Sequence, residues 1–533
     1  MLFECTARFS NDLKLDSVNR LYAQSSGNTS RSISGNAPIL SMDGICHYSV
    51  SQNDKYGRYL TAKKDIERGE VIFSDLPVVV GPKPDTPPLC LGCYCPVEQT
   101  VCSHCSWPIC SPACEQDPHH QLECEVFQAS NVKFQNVEDW TAPSTQLDCI
   151  TPLRLLLAKE KDPIRWQKEV DTLESHTEER KKRPTWEVDE VNIVNFLSDH
   201  CKLGDRFNKE LVQKVCGILE VNAVEIPSRG GFSIRAVYPR LALAAHSCVP
   251  NLVHTILQNN YQVQVRAATP IKSGEALHLC YTHALTPTIF RREYLMESKF
   301  FACECPRCAD PTELGTHLST LKCNKCDNGV ILSTNPLDND AEWQCTEKNC
   351  GFKTSGAAMK KMLSVVQQEI DQVDAIEPGP KAIEMREQLL NKFKSVFHPR
   401  HSLLLSVKHS LAQLYGRVEE YSIDELPDLM LERKAGFCRL VLQALDVILP
   451  GDSRMRGMML YELHAPLMFM ARNEYSAGLI DKDKLKEKLQ EPIQCLADAA
   501  RILMREDPQS PEGITGNIAQ QSMEQLKASL ESL

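Results

Sequence analysis

The chain holds 533 residues, too many for one hydrophobic core, so roughly three to four folding units are expected. With 59 basic against 70 acidic residues and a net charge of −11, it has no broad basic field, and direct nucleic-acid binding is not expected. No run approaches ~18 uninterrupted apolar residues, and the opening MLFECTARFSNDLK has no apolar core of a secretion signal, so neither a membrane span nor export is expected.

Residues 1–40, which include AQSSGNTSRSISGNAP, lack periodicity and read as a disordered tail. Residues 41–89 alternate short β-like runs (HYSVSQ, RYLTA, EVIFSDLPVVVG) with turns at KYG and IERGE. Residues 90–124 hold the densest Cys/His cluster. Residues 150–220 are helical in pattern. Leu153, Leu156 and Leu157 share a face, as do Val191, Val194 and Leu197, and then Leu211, Val215 and Leu219. β character returns over 232–286 with FSIRAVYP, LVHTILQ, YQVQVRAA and ALHLCYT. A Cys-rich segment at 287–311 and a second at 312–356 follow. Over 357–533 amphipathic helices dominate. Leu404, Val407, Leu411 and Leu414 share one face, and so do Phe437, Val441, Leu445 and Ile448. Helices joined by short breaks suggest an array like tetratricopeptide pairs, with a plain bundle as the alternative. The fold class is therefore α+β.

The 24 cysteines are clustered. In an intracellular setting, clusters read as zinc ligands before disulfides. The first cluster contains CLGC (Cys90, Cys93), CSHC (Cys102, Cys105), CSPAC (Cys110, Cys114) and HQLEC (His120, Cys124). Two or three residues between ligands let both reach one tetrahedral ion, so eight ligands make two zinc sites. Spacing leaves the pairing open. Cys95 and His119 are spare. A span of about 35 residues has little core of its own, so the metal is expected to hold it. CECPRC supplies Cys303, Cys305 and Cys308, which need a fourth ligand from elsewhere. Cys248, in LALAAHSCVPNLVHT, is the natural choice. CNKC (Cys323, Cys326) and CTEKNC (Cys345, Cys350) read as a zinc ribbon.

Taken in order, Gly57, IERGE, HSCVPN, GEALHLCY and FFACECPRC resemble the SET-and-MYND lysine methyltransferases. The match covers nearly everything from about 46 to 530. HPRHSLLLSVKHSLAQLYG resembles the start of that family's C-terminal helical region, and the ribbon resembles its arthropod SmydA branch. The resemblance makes 41–89 and 232–286 the two parts of a split β-rich SET domain. Residues 90–124 become an inserted MYND zinc finger, 125–231 a helical insert, 287–311 a post-SET zinc segment and 357–533 a TPR-like domain. It implies transfer of a methyl group from S-adenosyl-L-methionine to a lysine of a protein substrate, histone or non-histone, in transcriptional regulation. It also implies capture of proline-containing peptides by the finger, in the nucleus or cytoplasm.

Residue by residue, Tyr281 matches the channel tyrosine, whose hydroxyl would orient methyl and amine. Gly57, Arg58 and Tyr59 match the early cofactor loop, and His246 matches a histidine whose backbone holds the cofactor. Asn222 matches an asparagine near the cofactor's polar end, or is a buried amide satisfying backbone. Phe301 lines the cofactor or channel, or packs the core. Two positions depart from the pattern. Tyr59 stands where the loop has glycine, and Ala245 stands where asparagine would contact the cofactor. Losing that amide is expected to cost on the order of 1–3 kcal/mol of binding. The alternative these departures support is a non-catalytic SET/MYND adaptor that recruits proline-containing partners.

Overall fold

A computed structural model describes residues 47–532. The tail expected at 1–40 lies outside the described residues. We number the strands in chain order and the α-helices of twelve residues or more.

The β core is built from short strands. β1 (Tyr48–Asn53) and β2 (Gly57–Ala62) form a hairpin. β3 (Val71–Asp75) pairs with β9 (Gln262–Ala267), which also pairs with β8 (Leu252–Leu257). β4 (Val79–Pro82) and β5 (Val224–Pro227) flank β6 (Ser233–Val237). The alternation read from the sequence is realised: Leu60 and Ala62 point inward, Tyr59 and Thr61 outward. Leu60, Ile72, Val80, Ile234, Val263 and Val265 fill the space between the sheets. Two further strands, β7 (Ala245–His246) and β10 (His278–Leu279), pair in parallel.

Asn251 ties this part of the chain together. Its side chain donates to the Ala276 carbonyl (2.9 Å) and accepts from the His278 amide (2.7 Å). Its own backbone bonds to His278 and Ala268. One residue thereby ties its own segment to two others, at Ala268 and at Ala276–His278.

The finger is not held by metal alone. Trp107 stacks on Phe127 of α1 (Pro118–Ser130), with centroids 4.1 Å apart, and both belong to a core shared with α2 (Ile150–Lys161) and α3 (Lys209–Asn222). The span has little core of its own, and the expectation that metal holds it is corrected to metal together with the helical insert, which supplies the apolar partner. A second correction concerns Val191, which is 66% exposed. Residues Glu190–His200 form a π-helix, whose wider turn breaks the 3.6-residue period, so Ile193, Val194 and Leu197 face the core instead.

After α4 (Thr288–Lys299) comes a four-stranded antiparallel ribbon, β11 (Leu321–Lys322), β12 (Val330–Ser333), β13 (Trp343–Cys345) and β14 (Lys353–Thr354). Its Leu321, Ile331 and Trp343 share a core with the C-terminal helices. Those helices run as α5 (Gly356–Asp374), α6 (Pro380–Phe393), α7 (Ser402–Leu414), α8 (Asp428–Ile448), α9 (Arg454–Ser476), α10 (Gln490–Leu503) and α11 (Pro511–Ser532). Chain neighbours from α7 to α11 pack on one another. The helical region closes on the β core through Asp452, nearly fully buried, which accepts from Arg68, Arg501 and Arg505. No described helix is long and apolar enough to cross a membrane.

Candidate metal centres and active-site cleft

Among the described residues, four groups of thiol and imidazole donors converge, each with its donor atoms within 4.8 Å of one another. They are Cys90, Cys93, Cys110, Cys114; Cys102, Cys105, His120, Cys124; Cys248, Cys303, Cys305, Cys308; and Cys323, Cys326, Cys345, Cys350. The finger is thus interleaved, first pair with third and second with fourth, the choice that spacing left open. Cys95 and His119 fall outside both groups. Sulfur–sulfur distances decide the chemistry. Cys93–Cys110 is 3.5 Å, Cys110–Cys114 3.6 Å, Cys248–Cys308 3.5 Å and Cys326–Cys345 3.6 Å. A disulfide needs ~2.05 Å. Four thiolates ~2.3 Å from one tetrahedral ion sit ~3.8 Å apart. Sulfur-rich tetrahedral sets suit zinc. Backbone N–H groups support the thiolates: His104 donates to Cys102 (3.4 Å), Lys325 to Cys323 (3.3 Å) and Glu347 to Cys345 (3.4 Å). Gly92 explains the small residue inside CLGC, since a Cβ there would lie 2.7 Å from that of Cys114.

Buried charges orient two of these groups. In the finger, His120 Nδ1 contacts Glu123 (3.2 Å), and Glu123 is clamped by Arg154 through two 2.7 Å bonds. Arg154 also donates to Val80 O, Leu91 O and the Tyr94 hydroxyl. Although burial opposes ionisation, the Arg154 charge beside it holds the Glu123 carboxyl below its usual range. Around Cys248, Glu313 accepts from Arg291 (2.7 Å) and Arg307 (2.8 Å), and none of the three side chains is exposed. Arg291 reaches Cys308 Sγ (3.5 Å), and Arg307 reaches the Cys248 carbonyl (3.2 Å).

Tyr281 is joined to the third group through one imidazole. The Tyr281 backbone N–H donates to His246 Nδ1 at 3.0 Å. That nitrogen is therefore the acceptor, and the proton of a neutral ring sits on Nε2, 3.3 Å from Cys248 Sγ. Burial pushes His246 down to about 4, so the ring is neutral at pH 7. The Tyr281 hydroxyl donates to the Ala244 carbonyl, and burial drives its pKa well above that of an ordinary phenol. Phe301 lies 5.8 Å from the His246 ring and packs beside Cys248 and Tyr281. His246, Tyr281, Phe301 and the Cys248 group thus form one body.

The loop residues approach this body through Tyr56 and His278. Gly57 takes φ +64°, and nothing lies within 4 Å of where its Cβ would stand, so the loop backbone is open to approach. Tyr59 packs on Tyr56 (5.2 Å), and Tyr56 stands edge-on to His278 (5.5 Å), the register partner of Ala245. Arg58 is turned away, donating to the Thr172 carbonyl. Asn222 spends both amide donors on backbone, Glu174 O at 2.8 Å and Ile218 O at 3.0 Å. Arg58 and Asn222 therefore hold the same 172–174 segment, and the contact seen at Asn222 is the backbone-satisfying one. The residues that hold this geometry and that sequence reasoning missed are His278, Tyr56, Glu123, Arg154 and the Arg291–Glu313–Arg307 triad. Only HxxE, His120 to Glu123 on one helix face, left a local trace.

A family profile described as SET domain matches residues 57–282. Fruit fly "SET domain-containing protein SmydA-8, isoform A" is 30% identical over 56% of this chain and 64% of its own length. Over this region the chain is similar to SET-domain proteins. Chicken "N-lysine methyltransferase SMYD2" is 30% identical over 47% of this chain and 57% of its own length. Arabidopsis "Histone-lysine N-methyltransferase ASHR1" is 23% identical over 77% and 85%. The chain thus spans less than two thirds of the fly and chicken proteins. A solved SET domain bound to lysine and AdoHcy overlaps 90% of this chain at 13% identity and a TM-score of 0.28, too loosely to relate one site to the other.

Proposed function

We propose that this protein is an S-adenosylmethionine-dependent protein-lysine methyltransferase carrying four zinc ions, two in the finger, one at Cys248 and one in the ribbon. The observation that carries the reading is the Cys248–His246–Tyr281 chain of contacts, which ties the Tyr281 backbone to the metal group while the Tyr281 hydroxyl donates to the Ala244 carbonyl. The cofactor fits two features: the open backbone at Gly57 and the buried, unpartnered Nε2 of His278. When bound, S-adenosylmethionine supplies an electrophilic methyl group. Tyr281 gives its proton to a carbonyl, so its oxygen offers lone pairs to whatever approaches. Burial keeps it a phenol at neutral pH, which suits orientation and not proton abstraction. The lysine amine must arrive neutral and aligned, since in-line displacement needs reacting atoms about 3–3.5 Å apart. Capture of proline-containing peptides by the finger and a role in transcription are supported by the family resemblance.

The test is transfer of labelled methyl to a lysine peptide array. Tyr281→Phe is expected to bind cofactor like the wild type while turnover falls on the order of a hundredfold, in line with a lost positioned polar group. Equal turnover in both would remove Tyr281 from the reaction. Cofactor binding without transfer to any peptide would favour the adaptor reading.

A further inference from the structure

His278 Nε2 is buried and has no hydrogen-bond partner. A buried polar nitrogen left unpaired costs about 1–3 kcal/mol, so one held in place by the fold asks for a ligand. His278 is so held. Its N–H donates to Asn251 Oδ1 at 2.7 Å, and its carbonyl accepts from the Asn251 N–H at 3.2 Å. In the parallel β7–β10 pair it is the register partner of Ala245, so the two side chains share a face of that sheet. Across the ring stands Tyr56 at 5.5 Å, followed by Tyr59 at 5.2 Å, the two aromatics that flank the open Gly57. An imidazole nitrogen thus lies beside the position where this chain carries a methyl group in place of an amide.

Resting on the methyltransferase reading, we propose that His278 makes the polar contact to the bound cofactor that Ala245 cannot, with Tyr56 and Tyr59 as the wall that holds the imidazole in place. His278 is then a cofactor-binding residue, and the loss of asparagine at 245 is offset from the neighbouring strand.

Equilibrium dialysis of the metal-replete full chain against labelled S-adenosylhomocysteine tests this without reference to turnover. His278→Phe keeps the ring and its contact with Tyr56 but removes the nitrogen. It is expected to bind about tenfold or more weakly than wild type. His278→Gln returns a nitrogen at a similar reach and is expected to bind within about threefold of wild type. Ala245→Asn added to His278→Phe is expected to recover most of the loss. If His278→Phe binds as wild type does, the inference is wrong and the methyltransferase reading stands. If wild type itself does not bind, that reading fails and the inference falls with it. If His278→Phe loses its fold or metal, His278→Gln decides: wild-type binding supports the polar role, and weak binding from a folded protein overturns it.

Discussion

Glu313→Ala is expected to destabilise the protein by about 3–5 kcal/mol and to strip the metal from the Cys248 group. The carboxylate accepts from Arg291, Arg307, Ser319 and the Thr288 N–H, and it has no exposure. Deleting it leaves two guanidinium groups buried without a counter-charge. One of them touches Cys308 Sγ and the other the Cys248 carbonyl, so the damage falls on the metal group. The linkage follows from the carboxyl's pKa. Burial alone would raise it, yet the two arginines hold it at about 2, against 4.5 for a free glutamate. Its contribution is therefore full above about pH 4.5 and lost as pH falls towards 2. Denaturant titration at pH 7 and metal analysis after gel filtration check the prediction. A variant that keeps both stability and metal would show that the triad carries no net stabilisation.

Arg154→Ala is expected to have the second-largest effect, again about 3–5 kcal/mol, and to act on the finger. This arginine links the β4 carbonyl of Val80, the finger's Leu91 carbonyl, the Tyr94 hydroxyl and Glu123. Without it Glu123 is a buried carboxylate facing only His120, and His120 loses a fixed orienter. Weakening such a partner commonly costs 10–100-fold in metal affinity. Competition with a chromophoric chelator should show one of the two finger metals released at lower chelator concentration, with the ribbon metal unchanged. Arg154→Lys is expected to recover little, because a single ammonium cannot serve the carboxylate and three further oxygens at once.

These networks also mark where the sequence stopped being legible. Each Cys-x2-Cys pair is local, so its donor residues can be read from spacing; Cys248 could be assigned because CECPRC is one ligand short. Which finger pairs join depends on how the span folds against α1, and nothing local encodes that. Glu123 and Arg154 lie 31 residues apart; Glu123 leaves a local trace only as the end of HxxE, and Arg154 leaves none. Val191 was misread because a π-helix keeps apolar residues but changes their period. At the cleft, Tyr281 and His246 were recognisable from HSCVPN and GEALHLCY. The His246 tautomer was not, since it is set by a backbone amide 35 residues away. His278 was hidden for a similar reason. Its relation to Ala245 exists only in the register of two short parallel strands.

The central claim is that the residues around Gly57, Ala245, His246 and Tyr281 take up S-adenosylmethionine despite the departures at Tyr59 and Ala245. Calorimetric titration of the folded, fully metallated chain with S-adenosylmethionine and with S-adenosylhomocysteine tests it most directly. The account predicts saturable binding of both in the micromolar range, about −8 kcal/mol. No heat from either compound at millimolar concentration would contradict it and leave a zinc-built scaffold that kept the fold without the reaction.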